Sequence, residues 1–258
     1  MNAPIPIARR DVIAERLAQG LAVVSNDLAA EFNVSEDAIR RDLRALAAEG
    51  QCRRVYGGAL PVTPATAPMA ERIDEGRSRK DALARAAAQT IQRGEFVFLD
   101  SGSTNLALAR VLPEDHELTV ATNSIDIAAV LLTRPDVRLV MIGGSVEPLV
   151  GGAVDADAVL AVSRMNIDRC FVGVCGVSVQ GGVSAFHSAD ATFKRAVSGV
   201  SRTNVVLATS DKFGERAPYR VLSSAEVNCY VVEHDADPQV LEGIAREGCT
   251  IVRADQAI

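Results

Sequence analysis

The chain has 258 residues, which is enough for one large domain or for a small domain joined to a medium one. Apolar residues make up 48% of it, aromatic residues only 4%, and there is no Trp, which argues against a disordered chain. A core of Ala, Val, Leu and Ile is typical of helices packed on a parallel sheet. The formal net charge of −6 argues at first against a nucleic-acid partner.

The five Cys are scattered and none forms a C-x-x-C pair, which argues against a disulfide framework and against a zinc site. This usage fits a reducing cytosol, so we expect a cytoplasmic protein. The N-terminal residues lack a long apolar segment, and no stretch approaches the roughly 20 apolar residues that a membrane span needs. We therefore expect no signal peptide, no membrane partner, no metal and no cofactor.

The first 60 residues predict a winged helix-turn-helix domain. Three helical segments precede a short β-prone run, at 9–19, 27–32 and 36–49. Gly20 is expected to stop the first helix, Ser25 or Asn26 to cap the second, and Ser35 to cap the third. The β-prone run contains a Gly57-Gly58 turn, which predicts the hairpin of a wing.

The remaining chain predicts an α/β domain. Residues 61–70 are Pro, Ala and Thr without periodicity and predict a linker, and an Ala-rich segment predicts one long helix over 71–92. Apolar runs then alternate with helical segments, which predicts a mostly parallel sheet covered on both faces. The predicted strands are 96–100, 118–122, 137–143, 169–174, 204–209 and 227–232, and the predicted helices are 104–112, 124–133, 155–164, 190–201 and 238–247. We thus expect a DNA-binding domain at 1–60, a linker at 61–70 and a sensing domain at 71–258.

The charge distribution points to DNA despite the acidic total. Residues 1–60 hold eight Arg and eight acidic residues, but residues 40–54 hold five Arg against Asp42 and Glu49. The predicted third helix directs three of these Arg outward, where they can bond guanine or phosphate in a major groove. The alternative is that the Arg side chains only solvate the helix and pair with its acidic residues. The predicted DNA contacts are Ser35, Arg40, Arg41, Arg44, Arg53, Arg54 and Tyr56.

The segment VSEDAIRRDLRALAAEGQCRRVYGGA, after the LAAEF helix, resembles the N-terminal signature of DeoR-family regulators. Matching positions include the Ile-Arg-Arg-Asp-Leu core at 39–43 and the Gly-Gly-Ala at 57–59. Ala38 stands where the family usually has Thr, which removes a hydroxyl that could contact phosphate. Tyr56 stands where His is usual and keeps an aromatic side chain that can form a hydrogen bond.

A second group of polar loops follows the predicted strands of the sheet. Because the carboxyl ends of parallel strands line one crevice, these loops can converge on one ligand. The Ser-Gly-Ser-Thr loop opens a helix, which favours an anion, and Lys212 would supply counter-charge for a phosphate. Each loop alone is also consistent with ordinary turn chemistry. The predicted effector contacts are Asp100, Ser101, Gly102, Ser103, Thr104, Thr122, Asn123, Ser124, Gly143, Gly144, Asp190 and Lys212.

The blocks FLDSGST, LTVATNS, FVGVCGV, ADATFKRAV and TSDKFG resemble the DeoR-family sensor domain, so the resemblance covers nearly the whole chain. It implies a fold like those of ribose-phosphate isomerase and acetyl-coenzyme A transferases, and an effector that is a phosphorylated sugar or a related intermediate. Asp190 stands where Glu is usual, and Thr-Ser-Asp-Lys replaces the usual Asp-Ser-Ser-Lys. Both differences bear on which effector is bound.

An isomerase is the enzymatic alternative. Such enzymes carry an Asp-Gly-Ala-Asp block after a central strand, whereas this chain has Gly173-Val174-Cys175-Gly176, without either carboxylate. We interpret Cys175 as a small buried hydrophobe and His187 as a solvent-exposed loop residue.

We therefore expect a DNA-binding repressor of a sugar or carbohydrate-metabolism operon, not an enzyme. Its expected partners are a double-stranded DNA operator and a phosphorylated metabolite, and its expected assembly is a homodimer or homotetramer. The alternatives are a sugar-phosphate enzyme with a DNA-binding head, and an activator or architectural protein without a small ligand.

Overall fold

The computed structural model describes residues 6–18, 21–61, 68–245 and 248–256. The N-terminal part contains the helices α1 (Pro6–Ala18), α2 (Ser25–Phe32) and α3 (Glu36–Ala48) and the strands β1 (Val23–Val24), β2 (Arg53–Val55) and β3 (Gly58–Leu60). The three strands form an antiparallel sheet with β3 in the middle. This confirms the predicted winged helix-turn-helix. Gly20, expected to stop α1, lies outside the described residues.

The helix caps were predicted correctly for α3 and wrongly for α2. The Ser35 hydroxyl accepts a hydrogen bond from the backbone N–H of Ala38 at 3.3 Å and caps α3, as predicted. Val24, rather than Ser25 or Asn26, is the N-cap of α2, and no side chain caps that end. The reason is that the backbone N–H of Ser25 donates to Gly57 O at 2.7 Å, so Ser25 is the first helical residue, tied to the wing turn.

A buried ion pair fixes α1 against α3. Arg9 Nε lies 2.6 Å from Asp42 Oδ2, and both side chains are almost completely buried. Around this pair the helices pack through apolar side chains that include Ile13, Leu17 and Leu43. The Asp42 carboxylate is therefore paired with Arg9 of α1 and does not neutralise the Arg residues on the outer face of α3.

The C-terminal part is built on seven parallel strands, which confirms the predicted parallel sheet. Their bounds are β4 (Phe96–Leu99), β5 (Thr119–Thr122), β6 (Arg138–Met141), β9 (Ile167–Val172), β12 (Ser201–Ala208), β14 (Cys229–Val232) and β15 (Thr250–Arg253), in the order β15-β14-β12-β9-β4-β5-β6. The first six correspond to the predicted strands. The edge strand β15 was not predicted.

The remaining helices are α4 (Met69–Arg72), α5 (Arg77–Ala88), α6 (Ser103–Arg110), α7 (Ile125–Leu131), α8 (Ala156–Val162), α9 (Ser188–Gly199) and α10 (Pro238–Ala245). The single long helix predicted over 71–92 is wrong, because the chain turns between α4 and α5. Gly76 adopts a left-handed conformation there, with φ +58°, which a side chain disfavours. Helix α4 already begins at Met69, inside the predicted linker, and residues 62–67 of that linker lie outside the described residues.

Two small antiparallel sheets were also not predicted. Strands β10 (Gly176–Ser178), β11 (Gly182–Ala185) and β13 (Tyr219–Leu222) form one, and β7 (Val146–Glu147) and β8 (Gly152–Ala153) form the other. Leu60 at the end of the wing packs into an apolar cluster with Phe186 and Ala217 next to the larger of these sheets. No helix in the described ranges is long and apolar enough to cross a membrane.

Candidate nucleic-acid interface and ligand cavities

The outer face of α3 presents Arg side chains in two different states. Arg40 contacts Glu36 at 3.1 Å and Asp37 at 3.4 Å on its own helix. Arg41 and Arg44 are exposed, and neither pairs with a carboxylate among the described residues. The alternative interpretation, that the Arg side chains pair with acidic residues of their own helix, therefore applies to Arg40. The guanidinium groups of Arg41 and Arg44 stay available for bases or phosphates.

The wing and α3 form the two walls of one groove. Arg40 on α3 and Arg54 and Tyr56 on the wing line this groove, whose volume is about 430 Å³. Tyr56 is fully exposed at the hairpin tip. Arg53 lies on the other side of the strand, 3.9 Å from Glu71, and the Ser35 hydroxyl is engaged in capping α3. The structure therefore brings three of the seven predicted DNA contacts, Arg40, Arg54 and Tyr56, to one groove and places Arg53 near Glu71 of α4.

Replacing Arg41 with Ala is expected to weaken operator binding by about 1–3 kcal/mol, because Arg41 has no competing carboxylate and can bond a base edge. Fluorescence anisotropy with operator DNA at fixed salt measures this loss. Arg202→Ala is the control, since Arg202 is an exposed Arg of the other domain, 3.4 Å from Asp168. If Arg41→Ala binds like Arg202→Ala on every sequence, Arg41 is not a DNA contact.

The first cavity lies at the carboxyl ends of β4 and β9 and holds about 40 Å³. The loop Ser101–Ser103 forms one wall and leads into α6, whose N-cap is Gly102 and whose first turn has no acidic residue. Such a helix start favours an anion. Gly173 lines the cavity directly beside this loop, and a Cβ there would lie 2.5 Å from Ser101 O, so any side chain at 173 would displace the loop.

A buried lysine between two carboxylates closes the inner end of this cavity. Lys194 Nζ lies 2.8 Å from Asp100 Oδ2 and 2.5 Å from Asp190 Oδ1, and all three side chains are at most 5% exposed. The two carboxylates raise the pKa of Lys194 against the lowering effect of burial, so it stays charged. Burial raises the pKa of Asp100, opposed by the nearby Lys194 charge. The Asp190 carboxylate lines the cavity and can accept hydrogen bonds from hydroxyl donors of a ligand.

Lys212 and Cys175 face the same cavity. Lys212 lies in a short 3₁₀ turn, Ser210–Lys212, and makes no ion pair within the described residues. Burial lowers its pKa, and Lys212 is one of the basic residues of this cavity, with Arg72, that have no carboxylate partner among the described residues. Burial raises the pKa of the Cys175 thiol, so Cys175 is protonated, in keeping with its interpretation as a small hydrophobe.

Of the twelve predicted effector contacts, five line the first cavity: Ser101, Gly102, Ser103, Asp190 and Lys212. Asp100 and Thr104 are buried and do not line it, although Asp100 contacts Lys194, which does. Thr122, Asn123 and Ser124 are fully buried and do not line it. The Thr122 hydroxyl donates to Leu99 O of β4, and the Ser124 hydroxyl caps α7 by accepting from Ile127 N. Asn123 accepts from Ser101 N at 3.1 Å and donates to Ala153 O at 3.1 Å, and so positions the Ser101 loop.

Gly143 and Gly144 are exposed and lie away from both the cavity and the Ser101 loop. The neighbouring Ser145 N donates to Asp155 Oδ2 at 2.6 Å, which ties this loop to the start of α8. A Cβ at Gly144 would lie 2.5 Å from the same carboxylate. The prediction that these two glycines contact the effector is therefore not supported by their position; the close packing of the loop on α8 accounts for Gly144.

Several cavity residues were not predicted, including His187, which was interpreted as exposed. His187 is half-buried at the start of α9 and lines the first cavity, and burial lowers its pKa. The other additions are Arg72, Asn105, Phe186 and Lys194, together with Arg79 and Lys80 at a neighbouring second cavity. One signal in the sequence marks some of them: only three of the 27 basic residues are Lys, namely Lys80, Lys194 and Lys212, and all three line these cavities.

The chain matches two family models. Residues 9–65 match the DeoR-like helix-turn-helix domain, and residues 75–234 match the DeoR C terminal sensor domain. The chain belongs to the DeoR family of transcriptional regulators. The two matches correspond to the winged domain and to most of the parallel-sheet domain of this DeoR-family protein.

The glycerol-3-phosphate regulon repressor of Escherichia coli strain K12 is 30% identical over 233 residues, covering 90% of this DeoR-family chain and 92% of that repressor. The HTH-type transcriptional regulator IolR of Bacillus subtilis strain 168 is 25% identical over 215 residues, covering 83% and 86%. Among solved structures, ribose 5-phosphate isomerase A of Methanocaldococcus jannaschii aligns over 55% of this chain and 56% of its own, at 15% identity and a TM-score of 0.40. That partial likeness says nothing about activity.

Proposed function

We propose that this DeoR-family protein represses a sugar or carbohydrate-metabolism operon and leaves its operator when a phosphorylated sugar or a related intermediate binds the first cavity. The observation that carries the proposal is the pairing, in one cavity, of an anion-favouring wall with a wall that accepts hydroxyls. Lys212 and the Ser101–Ser103 loop suit a phosphate, and Asp190 suits sugar hydroxyls. The similarity to a glycerol-3-phosphate regulon repressor supports the same ligand class.

The cavity is suited to binding rather than to isomerisation. Sugar-phosphate isomerisation needs a carboxylate base that is available to the substrate carbon. Here Asp190 is bonded to Lys194, and the strand end at Gly173–Gly176 supplies no second carboxylate. We therefore assign the cavity a sensing role without turnover. Within the described residues, no group of His, Cys, Asp or Glu is arranged to hold a metal ion.

The position of the wing explains how a ligand could control DNA binding. Phe186 and Cys175 line the first cavity, and both also contact the apolar cluster that holds Leu60 of the wing. A ligand that moves Phe186 therefore changes the surface on which the wing rests. The ligand shifts operator affinity only by its differential affinity for the two wing arrangements. We further propose a cytoplasmic homodimer or homotetramer, so that two α3 helices read a palindromic site.

Fluorescence anisotropy tests the proposal with DNA from upstream of the protein's own gene, scrambled DNA, and a panel of sugar phosphates. We expect sequence-dependent binding that at least one sugar phosphate weakens. Binding that no phosphorylated compound affects would favour an activator or architectural protein without a ligand. Equal affinity for scrambled DNA, together with turnover of an aldose or ketose phosphate, would favour the enzyme.

A further inference from the structure

A second cavity of about 200 Å³ adjoins the first, which is about 40 Å³. The two share part of their walls, formed by Arg72, Ser103, Val174 and Lys212. The far wall of the second cavity is the first turn of α5 with Lys80, opposite Thr209 and Asp211. A ligand bound by the Ser101–Ser103 loop therefore lies next to the second cavity, with Lys212 bordering both spaces.

Cations outnumber available carboxylates in this second cavity. Lys80 is 8% exposed; its Nζ donates to Arg72 O at 2.5 Å, and it forms no ion pair among the described residues. Arg72 and Lys212 likewise form no ion pair there, and Arg72 Nε is buried without a hydrogen-bond partner. Glu75 and Asp211 are exposed at the rim. Three cationic side chains thus border one space without a buried carboxylate between them.

The pKa of Lys80 reflects the positive charges that surround it. The pKa of Lys80 is lowered to about 8, mainly by burial and by the charges of Lys212 and Arg72, against the raising effect of Glu75 and Asp211. An anion in the cavity would reverse these effects, since an opposite charge favours the ammonium form. The start of α5 adds to the positive potential, because Gly76 provides no capping side chain and the first turn has no acidic residue.

The positions of the three Lys residues indicate that the two cavities serve one function. Every basic residue outside them is Arg, although Arg and Lys are similarly suited to exposed surfaces. Lys differs from Arg in having a compact, strongly hydrated point charge that fits a small site and binds phosphate or carboxylate as a point charge. Lys194 is neutralised by two buried carboxylates, whereas Lys80 and Lys212 are not.

We propose that the second cavity binds a second anionic group of the effector, so that the ligand of this protein is a sugar derivative with an anionic group at each end. One end is a phosphate at the Ser101–Ser103 loop and Lys212, which rests on the proposed function. The other end is a phosphate or a carboxylate at Lys80 and the start of α5. Hydroxyls near the phosphate face Asp190 in the first cavity, and the part of the ligand between the two ends lies along the shared wall.

Isothermal titration calorimetry with matched probe pairs tests this inference. The pairs are fructose 6-phosphate with fructose 1,6-bisphosphate, glucose 6-phosphate with 6-phosphogluconate, and inorganic phosphate with pyrophosphate. The first pair reports a second phosphate and the second pair a carboxylate. We expect the member with two anionic groups to bind about ten- to hundredfold more tightly in at least one pair, as a charge-assisted contact predicts. The absence of an advantage in every pair overturns the proposal.

Two variants of Lys80 test whether this residue causes the tighter binding of the probes with two anionic groups. Lys80→Met removes the charge and the donor, while Lys80→Gln removes the charge and keeps a donor toward Arg72 O. In both, the ratio of affinities within a pair is expected to fall to about one. Asp81→Asn is the control on α5, since Asp81 lies 3.9 Å from Arg77 and outside both cavities, and its ratio should match that of the wild type. Circular dichroism verifies the fold of each variant.

The outcomes separate this inference from the proposed function. If Lys80→Gln weakens both members of a pair equally, Lys80 belongs to a single phosphate site and the inference is wrong. If single-phosphate sugars release operator DNA and no pair shows an advantage, the proposed function stands without the second site. If a compound with two anionic groups binds through Lys80 but leaves operator affinity unchanged, the second site stands and ligand-controlled repression does not.

Discussion

Lys212→Met is expected to abolish the release of operator DNA by sugar phosphates. Lys212, like Arg72, borders both cavities and has no carboxylate partner among the described residues, so it is a cation well placed to contact a phosphate. Truncating one side of a buried, charge-assisted contact costs about 2–5 kcal/mol, which corresponds to a loss of roughly 30-fold or more in effector affinity. Titration calorimetry measures the affinity, and anisotropy of labelled operator measures the release.

Arg216→Met is the matched control, because Arg216 is exposed four residues further along the same segment and lines neither cavity. We expect it to bind effector like the wild type. Lys212→Arg tests whether charge alone suffices, since the larger, planar guanidinium fits a small site less well than an ammonium. Full induction by Lys212→Met would place the phosphate elsewhere, and the walls around Lys80 and Arg72 would then be the next positions to test.

Lys194→Met is expected to lower the free energy of unfolding by about 3–5 kcal/mol. The variant leaves Asp100 and Asp190 facing each other at a buried site with no cation between them, and a buried charge without its partner is strongly destabilising. Urea denaturation measures the loss. The loss of unfolding free energy should be greatest near neutral pH. It should shrink toward pH 4, because the facing carboxylates of the folded variant take up a proton more readily than the same groups in the unfolded chain.

Arg202→Met is the control, because it removes a positive charge from an exposed ion pair instead of a buried one. Arg202 is 71% exposed and 3.4 Å from Asp168, and exposed pairs contribute at most about 1 kcal/mol. The double variant Lys194→Met with Asp190→Asn should recover part of the lost stability by removing one of the two facing charges. A Lys194→Met protein with wild-type stability at every pH would show that the Asp100–Lys194–Asp190 cluster does not support the fold.

The sequence predicted the elements whose signals are local. Ser35 begins α3 with a capping hydroxyl, and the apolar runs of β4, β9 and β12 are continuous because both faces of these central strands are buried. Strand β15, Thr250–Arg253, was missed because it lies at the sheet edge and its ends are exposed, so its apolar run is only two residues long. The break between α4 and α5 depends on one glycine, Gly76, within an otherwise helical composition.

The candidate site was predicted in part for a related reason. Residues in the loops that follow strands, such as Ser101 after β4 and Lys212 after β12, could be placed at the correct edge of the sheet by topology. Which side chain points into the cavity depends on packing that the sequence does not display: Asn123 follows β5 in the expected place, but its amide bridges two backbone loops. Arg72 and Lys80 come from helices that precede the sheet, so no strand-end rule includes them.

The double use of Phe186 separates occupancy of the sensor from its efficacy. The ring forms part of the first cavity on one side and of the wing contact with Leu60 on the other. If the effector binds the first cavity, as proposed, two compounds of equal affinity can differ in effect: one that presses on Phe186 would act as an inducer, and one that fills only the Ser101–Ser103 end would bind silently and compete with it. Such a sensor can bind antagonists. The cellular concentration of a ligand that binds without inducing then sets how much inducer is needed to release the operator.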